Sequence, residues 1–236
     1  MINRPGRAAA EARIHSAALT LFARKGFQGT GIRDIAAEAG ISLATLYHYM
    51  GTKDDLLVEM MLRSLTRLIA DAETVCEEGV SPLDRIGGLT LMHVLAHGTR
   101  REETLVVDSE LRSLDDERLA PVLELRDRYE SIWAAQLADA VEQGNAVIPE
   151  ASVTRFAILG MSTDVAVWFR PGGQLDLPEI ALHYAELTLR MIGARKGRRS
   201  IHLDDCELPP IEWFVELVQA TTSATPGAIA QVGDVR

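Results

Sequence analysis

The stretch from Ile32 to Lys53, IRDIAAEAGISLATLYHYMGTK, constrains the fold more than any other. It reads as a helix, a tight turn and a second, shorter helix. Ala36 is small enough for two helices to cross closely, and Ile41 and Leu46 are placed to fasten the second helix to the first. Gly40 suits a residue leaving a helix with positive φ, a conformation that a side chain penalises. Ser42 then caps the next helix, Leu43 to Tyr49, by accepting an amide hydrogen bond. That helix exposes Ala44, Thr45, Tyr47, His48 and Tyr49, side chains that suit a major groove. The pattern predicts a helix-turn-helix.

Taken whole, the 236-residue chain has a formal charge of −10, which disfavours a polyanionic partner. The distribution reverses this. Through Lys53 there are seven basic residues (Arg4, Arg7, Arg13, Arg24, Lys25, Arg33, Lys53) against three acids (Glu11, Asp34, Glu38), a net +4. The rest holds 17 basic and 31 acidic residues, a net −14. A basic head on an acidic body fits a DNA-contacting piece joined to a solvated partner domain. The plainer reading is chance asymmetry on a charged helical surface.

Apolar residues make up 47% of the chain, enough for a packed core. No apolar run approaches the roughly 18 residues of a membrane span. The N-terminal MINRPGRAAAEAR lacks the apolar centre of a secretory signal, so a cytoplasmic location is expected, with no membrane partner. Cys76 and Cys206 have no metal-ligand spacing and argue against a disulfide framework.

Ile14, Ala17, Ala18, Leu21 and Phe22 recur at helical spacing and predict a first helix over about 9–25, ended at Gly26. Gly31 would cap the second helix, with Asp34 favouring its dipole. Thr52 caps a long helix to about residue 78. Further helices are expected at 83–97, 103–114, 117–143, 150–169 and 177–192, separated by glycine or proline. No segment alternates like a strand, so the fold expected is all-α: a three-helix head plus a helical bundle. Beyond Ala194 the pattern decays into the basic ARKGRR cluster, one short helix at 211–220 that docks Trp213 and Phe214, and a disordered end. The expected domains are 8–68 (helix-turn-helix about 31–50), 69–194, and a partly disordered tail, 195–236.

The run LFARKGFQGTGIRDIAAEAGISLATLYHYMGTKDDLL resembles the N-terminal domain of TetR-family transcriptional regulators over about residues 8–68. The F-x-x-x-G-F lead, the I-R-D-I-A start, A-G-I-S, T-L-Y-H-Y and K-x-x-L-L carry the resemblance. Gly31 stands where the family usually has serine or threonine, and Met50 where it usually has phenylalanine. The resemblance implies a homodimeric repressor that a small molecule in the C-terminal body releases from DNA. More weakly, ELRSLDDERLAPVLELRDRYESIW and DVAVWFRPGGQLDLPEIA resemble regulators of lipid and sterol breakdown, which implies an acyl-CoA effector.

The expected DNA contacts are Thr30, Arg33, Ser42, Leu43, Ala44, Thr45, Tyr47, His48, Tyr49 and Lys53. Arg33, Tyr47, His48 and Lys53 match family positions that grip or flank phosphates; Thr30 and Thr45 offer hydroxyls to phosphate; Ser42, Leu43, Ala44 and Tyr49 lie nearest the groove floor. No Arg, Asn or Gln occurs on the recognition helix, so discrimination per half-site is modest and rests on DNA shape and dimer spacing along a palindromic operator. For the dimer surface the candidates are Phe156, Leu159, Gly160, Thr163 and Val167 with Ile180, Tyr184, Leu187 and Met191, intrachain core being equally plausible for each. For an effector cavity they are Met92, His93, Leu105, Ser109, Arg112, Tyr129, Trp133, Phe156, Met161, Trp168 and Arg170. Arg112 or Arg170 would meet the phosphates or carbonyl of an acyl-CoA, although an acidic body is an awkward host for that anion. His93 and His97 lie one turn apart, but with no third ligand nearby a metal is not expected. No catalytic set or cofactor loop appears, so an enzyme acting on a thioester is the weaker alternative. The other is a DNA-binding protein that answers to no ligand.

Overall fold

Serine, threonine and aspartate decide where several helices of this chain begin, and glycine where several stop. The computed structural model describes residues 4–223. Residues 1–3 and 224–236 fall outside the described set, and with them most of the expected disordered end. The described residues divide into two compact units, 4–67 with 102–125, and 68–101 with 126–222. The division cuts across the expected boundary at 68/69, because residues 102–125 join the N-terminal unit.

In the first unit, α1 (Arg4–Lys25), α2 (Ile32–Glu38), α3 (Leu43–Met50) and the start of α4 (Lys53–Glu78) surround one apolar core. Ile14, Ala18, Leu21 and Phe22 of α1 meet Ile35 and Ala36 of α2, Leu46 and Met50 of α3, and Leu56, Leu57, Met60 and Met61 of α4. Truncating a fully buried leucine such as Leu46 to alanine costs about 2–5 kcal/mol, so this core dictates the angle at which α3 is held. Val106 and Val107 of α6 (Arg101–Ser109) and Val122 of α7 (Asp116–Glu142) complete the same core. The sequence pattern does not group them with the head: their sequence distance hides a contact that only packing makes.

α2 ends as its residues demand. Gly40 has φ +63°, the amide of Ile41 reaches the carbonyl of Ala36 (3.0 Å), and that of Gly40 reaches Ala37 (3.1 Å). These two bonds occupy carbonyls that the helix leaves open. Gly31 caps α2 without a side chain to accept an amide hydrogen bond, as expected of glycine. Thr52 and Asp55 cap α4 reciprocally: Asp55 N–H donates to Thr52 Oγ1 (3.1 Å) and Thr52 N–H to Asp55 Oδ2 (3.0 Å).

The second unit is built around α5 (Pro82–Thr99), begun by a Ser81/Asp84 capping box and buried on nearly every face. A helix apolar all round has to be interior. Gly88 lets neighbours approach: a Cβ there would lie 2.9 Å from Val75 and 3.5 Å from Phe214. At Gly98 it would collide with the Leu177 side chain. α10 (Leu177–Met191), with a second capping box at Asp176/Glu179, packs along α5 and buries the small Ala181 and Ala185 together with Ile180 and Leu189.

Three features depart from the expected layout. The helix expected over 150–169 is two, α8 (Ala151–Thr163) and α9 (Val165–Trp168), interrupted at Asp164. The one expected over 103–114 ends at Ser109 and is followed by a 3-10 turn, Leu111–Ser113. Past Ala194 the chain forms a two-stranded hairpin, β1 (Arg195–Lys196) and β2 (Arg199–Ser200), a 3-10 turn (Leu203–Asp205) and α11 (Ile211–Ser223). Phe214 and Val218 of α11 are buried.

Candidate nucleic-acid interface and core polar cluster

Ser42 Oγ accepts the Thr45 amide at 3.1 Å and lies 2.7 Å from the Thr45 hydroxyl, so it starts α3 as a cap should. Leu46 and Met50 anchor the helix from below. Ser42, Ala44, Tyr47 and His48 are exposed, while Leu43, Thr45 and Tyr49 are half-buried. Tyr47, 51% exposed, is the largest apolar surface that α3 offers to solvent. His48 and Tyr49 meet edge to face (5.3 Å), and the Arg7 guanidinium lies 5.8 Å above the Tyr49 ring. Arg33, exposed near the start of α2, has no hydrogen-bond or ion-pair partner among the described residues.

Two expected phosphate contacts are otherwise engaged. Thr30 is only 2% exposed, and its hydroxyl is shared between the carbonyls of Gly26 (2.8 Å) and Leu21 (3.2 Å). It closes the turn after α1 and does not face solvent. Lys53 Nζ donates to Phe27 O (2.8 Å) and Thr30 O (3.0 Å) and sits 4.2 Å over the Phe27 ring, so two of its three donors bind the chain's own turn.

In the second unit the candidates separate. His93, Tyr129 and Trp133 form one buried cluster. His93 Nδ1 is 2.6 Å from the Tyr129 hydroxyl and Nε2 is 3.0 Å from Thr163 Oγ1. A neutral imidazole donates at one nitrogen and accepts at the other, so either tautomer uses both. Trp133 stands edge-on to His93 (5.9 Å), and His97 stacks on it at 4.0 Å while bonding the His93 carbonyl through Nδ1 (2.9 Å). Burial holds both histidines neutral: His93 lies well below the ordinary range and His97 falls to about 4. Both ring nitrogens of His93 are thus taken by protein, and no cluster of three or more metal-ligating side chains occurs among the described residues. Met92 is buried beside this group in sequence, and Met161 is half-buried. The Ser162 and Thr188 hydroxyls of the same unit are buried without a hydrogen-bond partner.

The remaining effector candidates lie elsewhere. Leu105, Ser109 and Arg112 belong to the first unit, where α6 and the turn after it complete the head. Phe156 is 56% and Trp168 45% exposed; the Arg155 guanidinium covers the former at 4.9 Å, and Tyr184 stacks on the latter at 6.5 Å. Arg170 spends Nη1 on the carbonyls of Val167 (2.9 Å) and Phe169 (2.7 Å). On α8 the faces divide: Ile158 and Ser162 point inward, while Val153, Phe156 and Gly160 point out. Of the expected dimer residues, Phe156, Gly160, Val167, Leu187 and Met191 are exposed and Leu159, Thr163 and Tyr184 half-buried. Ile180 is buried within its own unit and drops out.

What the sequence pattern missed is a set of ties inside the head. Glu110 accepts the Phe27 amide (3.2 Å), and Arg118 bridges Asp55 (3.1 Å) at the start of α4 to Asp115 (2.6 Å). Only Asp115, just before α7, and Arg118 in its first turn, three residues apart, could have been paired from spacing.

The profile described as bacterial regulatory proteins, tetR family, matches residues 14–60, and that of the tetracyclin repressor-like C-terminal domain matches residues 79–192. The transcriptional repressor KstR2 of Mycolicibacterium smegmatis is 27% identical over 183 residues, covering 76% of this chain and 89% of that repressor. A TetR-family transcriptional regulator of Thermus thermophilus, PfmR, is 31% identical with a TM-score of 0.70, covering 75% of this chain and 97% of its own. AibR, solved in complex with isovaleryl coenzyme A and operator DNA, shares the fold at a TM-score of 0.70 and 23% identity, covering 75% of this chain and 97% of its own.

Proposed function

We propose that this chain, which belongs to the TetR family of bacterial transcriptional regulators, holds a palindromic operator as a cytoplasmic homodimer and is released by a thioester-type effector bound in its second unit. DNA-binding transcriptional regulation follows from the family, and relatives carry the name of repressors. The observation that carries the docking is α3: a short helix with Leu46 and Met50 buried beneath it and Ser42, Ala44, Tyr47 and His48 presented outward, on the stretch of the chain with net positive charge. Arg33 and Tyr47 take the phosphate-contacting roles, and Ala44 meets a thymine methyl. Ser42, Leu43, Thr45, His48 and Tyr49 line the groove contact. Thr30 is withdrawn from this set, and Lys53 keeps one free donor for it.

Three helices support the dimer reading: Val153, Phe156, Val167, Trp168, Leu187 and Met191 leave large apolar side chains in solvent on α8, α9 and α10, and Gly160 leaves open space for a close partner helix. The effector reading rests on the buried polar group His93–Tyr129–Thr163 of the second unit, with the unpaired Ser162 and Thr188 hydroxyls. An unpaired buried hydroxyl costs about 1–3 kcal/mol, which a ligand acceptor would offset. AibR in its complex supplies the chemical precedent for a short acyl-CoA.

Fluorescence anisotropy with a duplex from the promoter beside the protein's own gene tests both halves. Tyr47→Ala and Arg33→Ala should each weaken binding about tenfold, and the salt slope should fall by about one for each phosphate no longer neutralised. Adding isovaleryl coenzyme A or a longer acyl-CoA should release the wild-type complex. Binding unaltered by either substitution would sink the docking; a complex indifferent to every thioester would sink the effector class alone.

A further inference from the structure

Within this acidic body lies a basic cleft. It measures about 350 Å³ and is lined by Val147 and Arg190, and by Arg195, Arg198, Ser200 and Ile201 beyond the last residue of the C-terminal family match. The volume falls in the range of small-molecule sites.

Its shape follows from two glycines and a hairpin. Gly193 (φ +60°) ends α10: the Ala194 amide reaches Leu189 O (2.9 Å) and the Gly193 amide reaches Arg190 O (3.1 Å). Two of the carbonyls that would repel an anion at a helix C-terminus, those of Leu189 and Arg190, are thereby occupied. Gly197 (φ +65°) takes the positive φ that a two-residue hairpin turn needs, which puts Arg198 at the tip. Alternation along the strands then sorts the charges. The paired Arg195 and Ser200 line the cleft, while Lys196 and Arg199 do not. Backbone bonds from Arg195 to Asn145 (2.8 Å), Val147 to Ile192 (2.8 Å) and Ile201 to Ala194 (2.9 Å) brace the walls.

The nearby acids are spoken for. Glu186 holds Arg190 (2.7 Å), His202 (2.8 Å) and the Leu203 amide (2.9 Å), while Asp205 holds Arg199. Arg195 uses only Nε, on Gly144 O (3.3 Å), and Arg198 has no partner among the described residues. Two guanidinium groups and a serine hydroxyl lining one cleft suit the planar, multidentate demand of a phosphoryl group. Val147 and Ile201 offer an apolar wall for an attached ring.

We propose that this cleft binds a phosphorylated small molecule of nucleotide size, through Arg195, Arg198 and Ser200. The site stands apart from the effector reading, and neither needs the other.

Isothermal titration of the full chain with ATP, ADP, pyrophosphate and adenosine tests it. ATP and ADP should bind, pyrophosphate more weakly and adenosine not measurably, with affinity falling as salt rises. The Arg195→Ala/Arg198→Ala double variant should lose at least about tenfold, since each guanidinium contributes charge-assisted bonds. Arg199→Ala, which removes an equal charge from the other face, should change affinity less than about twofold. Equal binding by wild type and double variant, equal loss in Arg199→Ala, or no binding of any phosphate at millimolar concentration would each overturn the proposal. So would a double variant that weakens only duplex DNA binding, since that assigns the cleft to nucleic-acid backbone. Circular dichroism of the double variant guards against misfolding, and the more conservative Arg198→Gln, at an exposed hairpin tip, repeats the measurement if the double variant fails to fold.

Discussion

Two residues of the head separate a structural role from a proposed DNA-contacting one. The Thr30 hydroxyl serves two carbonyls inside the turn after α1, whereas Arg33 stands in solvent. Thr30→Val keeps the shape and removes the bonds, so it should lower unfolding free energy by about 1–2 kcal/mol in urea titrations, with operator affinity altered only through folding. Arg33→Ala should do the reverse. His97 makes a residue-scale prediction about pH. Its ionisation in the folded protein is depressed to about 4, from an ordinary 6.5, first by burial and then by Arg100 and Arg126. A depressed value means the unfolded chain takes up the proton first. The stability is whole above about pH 6.5 and drains as pH falls toward 4, by about 1.4 kcal/mol per pH unit for this one group. Urea titrations between pH 7 and 4.5 should show at least that slope, because the buried His93 adds its own, and His97→Gln should reduce it by about 1.4 kcal/mol per pH unit; an unchanged slope would contradict a neutral buried ring at His97.

At the scale of elements, α11 is the chain's addition beyond the family match, and it closes a buried charge. The Arg100 guanidinium meets Asp71 (3.3 Å), the Val218 carbonyl (2.8 Å) and the hydroxyls of Thr221 (2.5 Å) and Thr222 (2.8 Å). A buried pair that loses its surroundings is costly, about 3–5 kcal/mol when one partner goes. Phe214, 1% exposed and close to Gly88, anchors the helix. Phe214→Ala should therefore destabilise by about 3–5 kcal/mol in urea, a core-sized loss from a segment outside the family profile. A loss under about 1 kcal/mol would show α11 to be a loosely held appendage.

At the scale of the whole molecule, the proposed dimer is the feature with the most at stake, because one α3 helix without bidentate base contacts is a weak reader. Phe156 and Leu187 stand on the exposed faces of α8 and α10. Phe156→Asp, or Leu187→Arg, should shift sedimentation equilibrium toward monomer. Operator affinity should drop by about a hundredfold or more in step, since a lone protomer neutralises only half the phosphates. A strictly monomeric wild type would remove the dimer from the mechanism.

Much of this protein is determined by local sequence. Ser42, Gly40, Thr52, Ser81 and Asp176 act on backbone groups within a few residues, so helix starts and stops follow from short-range chemistry. The recognition helix was legible for that reason, and so was the buried stripe beneath it. Tertiary structure alone decided the rest. It buried the Thr30 hydroxyl away from the candidate interface and turned Lys53 inward, drew residues 102–125 into the head, and gathered His93, Tyr129 and Trp133 while leaving Phe156, Trp168 and Arg170 in solvent. Those outcomes depend on which faces meet across long sequence separations. Helical periodicity identifies a face but not its neighbour, and burial of that face is a property of the packed chain.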